Sequence, residues 1–179
     1  SERLILLVND MLDIDKIASG KMQFDMRREF VAPMILSAIE TNQPYADRFG
    51  VQIGTNAGDV DAQVRVDPAR LQQVMSNLLS NAAKFSPVGG QVEVTLSVDD
   101  QTCRVEVTDQ GQGVSKDFAP LIFSKFSQAD SSATRTKYGS GLGLHISREI
   151  ITQMGGAIGF DSEPDKGATF WIELPLAAE

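Results

Sequence analysis

The stretch DPARLQQVMSNLLSNAAKF, residues 67–85, constrains this chain more than any other. It opens on a helix start signal: Asp67 can accept hydrogen bonds from free backbone N–H groups, and Pro68 takes the first helical position, where no N–H is missed. Two faces then diverge. Leu71, Val74, Met75, Leu78 and Ala82 recur at three- and four-residue spacing and form an apolar stripe. Asn77, Asn81 and Lys84 recur at the same spacing on another side. Two carboxamides one turn apart, followed by an ammonium, supply hard oxygen donors for a cation and a positive charge for phosphate. The same spacing also suits a solvated polar face, and this stretch alone does not decide between them.

Composition limits what such a helix belongs to. A chain of 179 residues, 42% hydrophobic and 22% charged, suits one globular domain with an appendage. A formal net charge of -8 without any basic run disfavours a nucleic-acid partner or an anionic membrane surface, so any phosphate site must be local. The longest uninterrupted apolar run, from Leu4 to Val8, is far too short to span a bilayer. The expectation is a soluble, cytoplasmic chain, whether or not a longer parent is membrane-anchored. One cysteine, Cys103, excludes an internal disulfide and fits a reducing compartment. Because the chain starts at Ser1 directly on a helical pattern, a fragment of a longer protein is expected.

Leu4, Leu7, Val8, Met11, Ile14, Ile17 and Ala18 carry helical spacing up to Ser19-Gly20, giving a first helix suited to a hairpin or dimer-forming bundle, or else packed on the domain. Residues 23–31 suggest a strand, and Pro33 a second helix bearing Ile35, Leu36, Ile39 and Tyr45 and closing near Gly50. Short strands are expected at residues 51–55 and 64–66. Val92, Val94, Leu96 and Val98 alternate, as do Cys103, Val105 and Val107 beyond an Asp99-Asp100 turn: a hairpin with one buried face. Cys103 shares the phase of the inward valines and is expected to be core.

The hairpin leads into Asp109-Gln110-Gly111-Gln112-Gly113. A carboxylate at a strand end, followed by alternating glycines, lets the backbone approach a flat ligand while the acid accepts a hydrogen bond from an exocyclic amine. Residues 127–137 (SQADSSATRTK) hold no large hydrophobe and suggest a mobile lid, with Arg135 and Lys137 as candidate phosphate contacts or simply solvated loop charges. The lid ends in Gly139-Ser140-Gly141-Leu142-Gly143, just before a helix with Leu142, Ile146, Ile150 and Met154 on one side. A glycine loop feeding a helix N-terminus presents unpaired N–H groups to an anion. It lacks the Gly-Lys-Ser/Thr of a P-loop. Strands are expected at residues 158–160 and 169–174, with Gly167 at the turn.

NLLSNAAKF (77–85), DQGQG (109–113), FSKF (123–126), GSGLGL (139–144) and GATF (167–170), in this order, resemble the N, G1, F and G2 boxes and terminal strand of a sensor histidine kinase ATP-binding domain. That resemblance implies an α/β sandwich of the Bergerat type, with a mixed, mostly antiparallel sheet, three helices on one face and an N-terminal helix. LVNDMLDIDKIASGKM (7–22) is similar to the end of the second helix of the family's dimerisation and phosphotransfer hairpin, which divides the chain into 1–22 and 23–179. By the same resemblance Asn81 is the Mg²⁺ ligand. Asn77 and Lys84 become phosphate and metal-shell contacts, and Arg135 joins them in catalysis. Asp109 becomes the adenine-amine acceptor and Thr169 an adenine-side hydroxyl, while Gly111, Gly113, Lys137, Gly139, Gly141, Leu142 and Gly143 complete the ATP site. The implied partners are a histidine-bearing helix, a response-regulator receiver domain and a second copy of the full-length protein.

Two departures bear on the chemistry. No His-Glu box is present, and the only histidine, His145, lies in the glycine-loop helix, where it is expected to be a surface or packing residue facing Glu149. Transfer to a histidine outside this sequence is therefore implied. Related ATPases such as type II topoisomerases carry a glutamate base where Asn77 stands, and an amide cannot take a proton from water. Slow hydrolysis follows. Two alternatives stand against this reading: a nucleotide-binding module without transfer, against which the intact polar and glycine boxes count, and a serine kinase of the anti-sigma type, which shares the fold but normally lacks the N-terminal helix.

Overall fold

The computed structural model describes residues 2–125, 142–163 and 165–178. Its centre is helix α3 (Pro68–Phe85), which follows from its first residues: Asp67 Oδ1 accepts from the N–H groups of Ala69 (3.0 Å) and Arg70 (3.2 Å). Such a cap contributes about 1 kcal/mol. The other oxygen of Asp67 accepts from the N–H of Asp25 at 3.0 Å, so one buried carboxylate starts the helix and pins the incoming chain. Leu71, Val74, Met75, Leu78, Leu79, Ala82 and Ala83 form the buried stripe. Each large member stabilises the fold by about 1.5–3 kcal/mol through burial.

That stripe lies on a five-stranded sheet. Its strands are β2 (Gln52–Thr55), β4 (Gln91–Val98), β5 (Thr102–Thr108), β6 (Ala157–Ser162) and β7 (Ala168–Pro175), in the order β2-β4-β5-β7-β6. Only β2 and β4 pair in parallel; the other neighbours are antiparallel. Val92, Val94, Leu96, Cys103, Val105, Val107, Phe170, Ile172 and Leu174 occupy one alternation phase and are buried. Helices α2 (Val31–Asp47), α3 and α4 (Gly143–Gln153) lie side by side over that face. Arg104, on the opposite face, is held by Glu106 (2.8 Å) and Glu173 (2.7 Å) and stacks over Trp171 at 4.3 Å.

The structure corrects several boundaries. Only β1 (Arg27–Phe30) of the expected strand at 23–31 is extended, and it pairs with β3 (Gln63–Val66) in a separate two-stranded sheet rather than joining the main one. Helix α2 begins at Val31, ahead of Pro33, because its start is capped from a distance. Val31 N donates to Ala62 O and Ala32 N to Asp61 Oδ1, both at 2.9 Å. Leu36 and Val98, expected inward, are exposed.

Helix α1 (Glu2–Ala18) packs through Leu7, Ile14 and Ile17, while Leu4, Ile5, Val8, Met11 and Leu12 stay exposed. Its Asp13 accepts from Gln73 Nε2 (2.7 Å) and Arg70 Nη1 (3.4 Å) on α3. No helix of the described residues is long and apolar enough to cross a membrane.

Candidate functional site

Two pieces of backbone meet the second half of α3, the loop after β5 at Phe85 and the start of α4 at Asn77, and the turn between β6 and β7 packs on the first of them. The loop begins with Asp109, which continues the inward phase of Cys103, Val105 and Val107 and is only 4% exposed. Its Oδ1 accepts from Gly111 N at 2.9 Å and Ala168 N at 3.3 Å; Oδ2 takes part in neither bond. Burial pushes the carboxyl above the usual carboxylate range, and the two backbone N–H groups pull partly against that. A buried acid with one oxygen fixed and the other outside those bonds suits the amine of a planar heterocycle.

Both glycines of the loop are sterically required. A Cβ on Gly111 would lie 2.3 Å from the carbonyl oxygen of Phe85, and one on Gly113, whose φ is +74°, would lie 2.4 Å from that of Glu163. Ser162 locks the far side: its hydroxyl accepts from Val114 N at 2.7 Å and donates to Gly167 O at 3.2 Å. Sequence reasoning missed Ser162, since nothing local marks a strand-end serine as the clamp of a loop 48 residues away.

Asn77 meets the start of α4. Its Nδ2 donates to Ser147 Oγ at 3.2 Å, and its Oδ1 packs on Gly143, where a Cβ would come within 2.1 Å of that oxygen. The last glycine of the glycine-rich sequence is thus fixed by contact with the polar face of α3. Asn81 is half-buried one turn further along. Lys84 lies another turn on, with Nζ 5.9 Å from the centre of the Tyr45 ring, so it leans toward the end of α2. Leu142 precedes α4 with its side chain wholly in the core, and its carbonyl accepts from Ile146 N at 2.9 Å, so its side chain does not face a ligand. Arg135, Lys137, Gly139 and Gly141, with the expected lid, lie outside the described residues.

The structure does not bring Thr169 to this site. Thr169 pairs with Thr108 across β5 and β7, and their hydroxyls are 2.9 Å apart. Because Phe170, Ile172 and Leu174 point at the helices, Thr169 and Trp171 point the other way. It is Ala168, through its backbone N–H, that touches Asp109. Of the two settings expected for His145, surface or packing, the structure gives packing: it is buried, and among the described residues Nδ1 has no hydrogen-bond partner. Burial lowers its pKa, against opposing effects of Glu149 and a hydrogen bond to the Phe123 backbone, while Arg148 and Lys125 lower it further.

Among the described residues no cluster of three or more His, Cys, Asp or Glu side chains could hold a metal ion. The hard oxygens on this face of α3 are the carboxamides of Asn77, which meets the start of α4, and of Asn81, one turn further along. Neutral donors of that kind fit Mg²⁺ brought in on phosphate oxygens rather than a dedicated protein cage.

Residues 66–178 match the family described as histidine kinase-, DNA gyrase B-, and HSP90-like ATPase. The sensory/regulatory protein RpfC of Xanthomonas campestris pv. campestris is 38% identical over 97% of this chain and 25% of its own length. For the sensor histidine kinase WalK of Bacillus subtilis the identity is 35%, covering 100% of this chain and 30% of that protein. The chain thus spans about a quarter to a third of the length of these relatives. Among solved structures, full-length ShkA in complex with AMPPNP superimposes with a TM-score of 0.83 at 31% identity, covering 98% of this chain and 36% of that one.

Proposed function

The chain belongs to the histidine kinase-, DNA gyrase B-, and HSP90-like ATPase family, and from that premise we propose that it binds Mg²⁺-ATP and transfers the γ-phosphoryl group to a histidine outside this sequence. The observation that carries the reading is the meeting of Asn77 with Gly143: a carboxamide on α3 packed on the first residue of a helix whose N-terminus attracts anions. The buried carboxylate of Asp109 supplies the base-recognition end of the same site. Asn81 is the Mg²⁺ ligand in this reading, with Asn77 in the metal shell and Lys84, Arg135 and Lys137 neutralising phosphate charge. Bound Mg²⁺ would offset the charge that develops on the γ-phosphoryl group.

Transfer rather than hydrolysis follows from the side chains present. Asn77 and Asn81 are amides and cannot deprotonate water, so the acceptor must bring its own nucleophile. In this reading His145 does not take that role: its side chain is buried and hydrogen-bonded to the Phe123 backbone, on the same helix whose start would hold the phosphates. In this reading residues 1–22 are the end of the phosphotransfer hairpin and 23–179 the catalytic domain. The parent is a two-component sensor kinase acting in the cytoplasm, dimeric in full length, that serves a receiver domain. Calorimetric titration with ATP, with and without Mg²⁺, tests the binding half: submillimolar, Mg²⁺-enhanced binding with ATP preferred over GTP is expected, and absence of binding in both conditions rejects the reading.

A further inference from the structure

Ser147 stands on α4 one turn after Gly143 and is 2% exposed, a hydroxyl buried on a helix that also buries Ile146, Ile150 and Ile151. Burying a hydroxyl in apolar surroundings is unfavourable unless it is hydrogen-bonded, and here the bond comes from another helix, from Asn77 Nδ2 at 3.2 Å. Gly143 and Ser147 share one edge of α4, and both face the same carboxamide: the glycine leaves room for Oδ1 and the serine holds Nδ2. A terminal carboxamide rotates readily about its last bond, since that torsion is broad and two-fold. Of the two contacts, the one to Ser147 has direction. The other is a space-filling contact that either end of the amide could make.

We propose that Ser147 is a positioning residue for nucleotide binding, fixing the rotation of the Asn77 carboxamide so that Oδ1 is kept at the start of α4, where the metal-bearing phosphates are held. The inference rests on the function proposed above and assigns Ser147 no contact with nucleotide. Outer-shell hydrogen bonds of this type commonly tune metal affinity by an order of magnitude or more. The effect should therefore appear in the Mg²⁺-dependent part of binding and nowhere else.

The test is calorimetric titration of the whole chain with ATP, once with excess Mg²⁺ and once with EDTA, for wild type, Ser147→Ala, Asn77→Ala and the double variant. Ser147→Ala should weaken Mg²⁺-ATP binding about tenfold while metal-free ATP binding stays within about twofold. In the Asn77→Ala background the same substitution should cost nothing more. Ser147→Cys keeps the volume with a weaker acceptor and should fall between wild type and Ser147→Ala, which gives a reading if the alanine variant folds poorly. Equal losses with and without metal, or losses that add to those of Asn77→Ala, would make Ser147 a packing residue and overturn the proposal. Unchanged Mg²⁺-ATP binding by Asn77→Ala would overturn it too, by removing the residue through which it acts. Failure of the wild type to bind ATP in either buffer would instead reject the proposed function.

Discussion

Gly111 sits against the last carbonyl of α3, so close that a methyl group on its Cα would lie 2.3 Å from Phe85 O. The end of the asparagine-bearing helix and the loop that starts at Asp109 therefore touch through bare backbone, and the distance between the two halves of the site is set there. Gly111→Ala must push these apart. It should lower thermal stability by about 1–3 kcal/mol and weaken ATP binding at least tenfold. Thermal unfolding followed by calorimetry checks both.

Asp109 opposes function to stability. Its carboxyl is raised above 3.8 by burial, so in the folded state it holds its proton to higher pH than in the unfolded chain. Stability from this group is present at low pH and falls as pH climbs from the unfolded value through the raised folded one. At neutral pH the ionised group is a cost to the free protein. Asp109→Asn should accordingly leave the melting temperature unchanged or higher, while ATP affinity drops by about 1–3 kcal/mol with loss of the charged acceptor and preference over GTP relaxes. In wild type, ATP affinity should decline on acidification at a pH above the ordinary carboxylate range. A destabilised Asp109→Asn variant that binds ATP normally would mark the residue as a turn former only.

Much of this was legible in the sequence, for physical reasons that differ from place to place. Helix α3 carries its own start signal in Asp67 and Pro68 and its own amphipathic stripe, so local information suffices. Cys103 was placed by strand phase. The start of α2 was not legible, because Asp61, a distant carboxylate, caps Ala32 while Phe30 offers no side-chain bond. For Thr169 the motif and the strand phase disagree: the family resemblance implies a hydroxyl near the base, whereas the phase of Phe170, Ile172 and Leu174 in the same strand turns it to the outer face. Ser147 is not legible in the sequence because a serine is unremarkable in an amphipathic helix that also carries Arg148, Glu149 and Thr152, and its role acquires meaning once α3 lies alongside.

That correction can be checked. Thr169→Val removes a hydroxyl whose partner is Thr108, on the face away from the helices. ATP affinity should stay within about twofold, with a stability loss of about 0.5–1.5 kcal/mol. A tenfold loss of affinity would return Thr169 to the site.

Cys103 offers a probe of the core. Burial pushes its thiol up to about 11, so at pH 8 roughly one molecule in a thousand carries the reactive thiolate. An aromatic disulfide reagent should leave the native protein unmodified over minutes and react at once in denaturant. Rapid modification of the native chain would contradict the packing given to β5.

The central claim is that this chain holds ATP for transfer to a histidine it does not itself contain. The direct measurement incubates it with γ-labelled Mg²⁺-ATP and a separate histidine-bearing helix from the phosphotransfer hairpin of the parent protein, then reads acid-labile phosphate on each component. Label on the added helix, none on the chain, and none on a helix whose histidine is replaced is the expected result. Phosphohistidine at position 145, or an added helix left unlabelled while ATP is bound, would contradict the account.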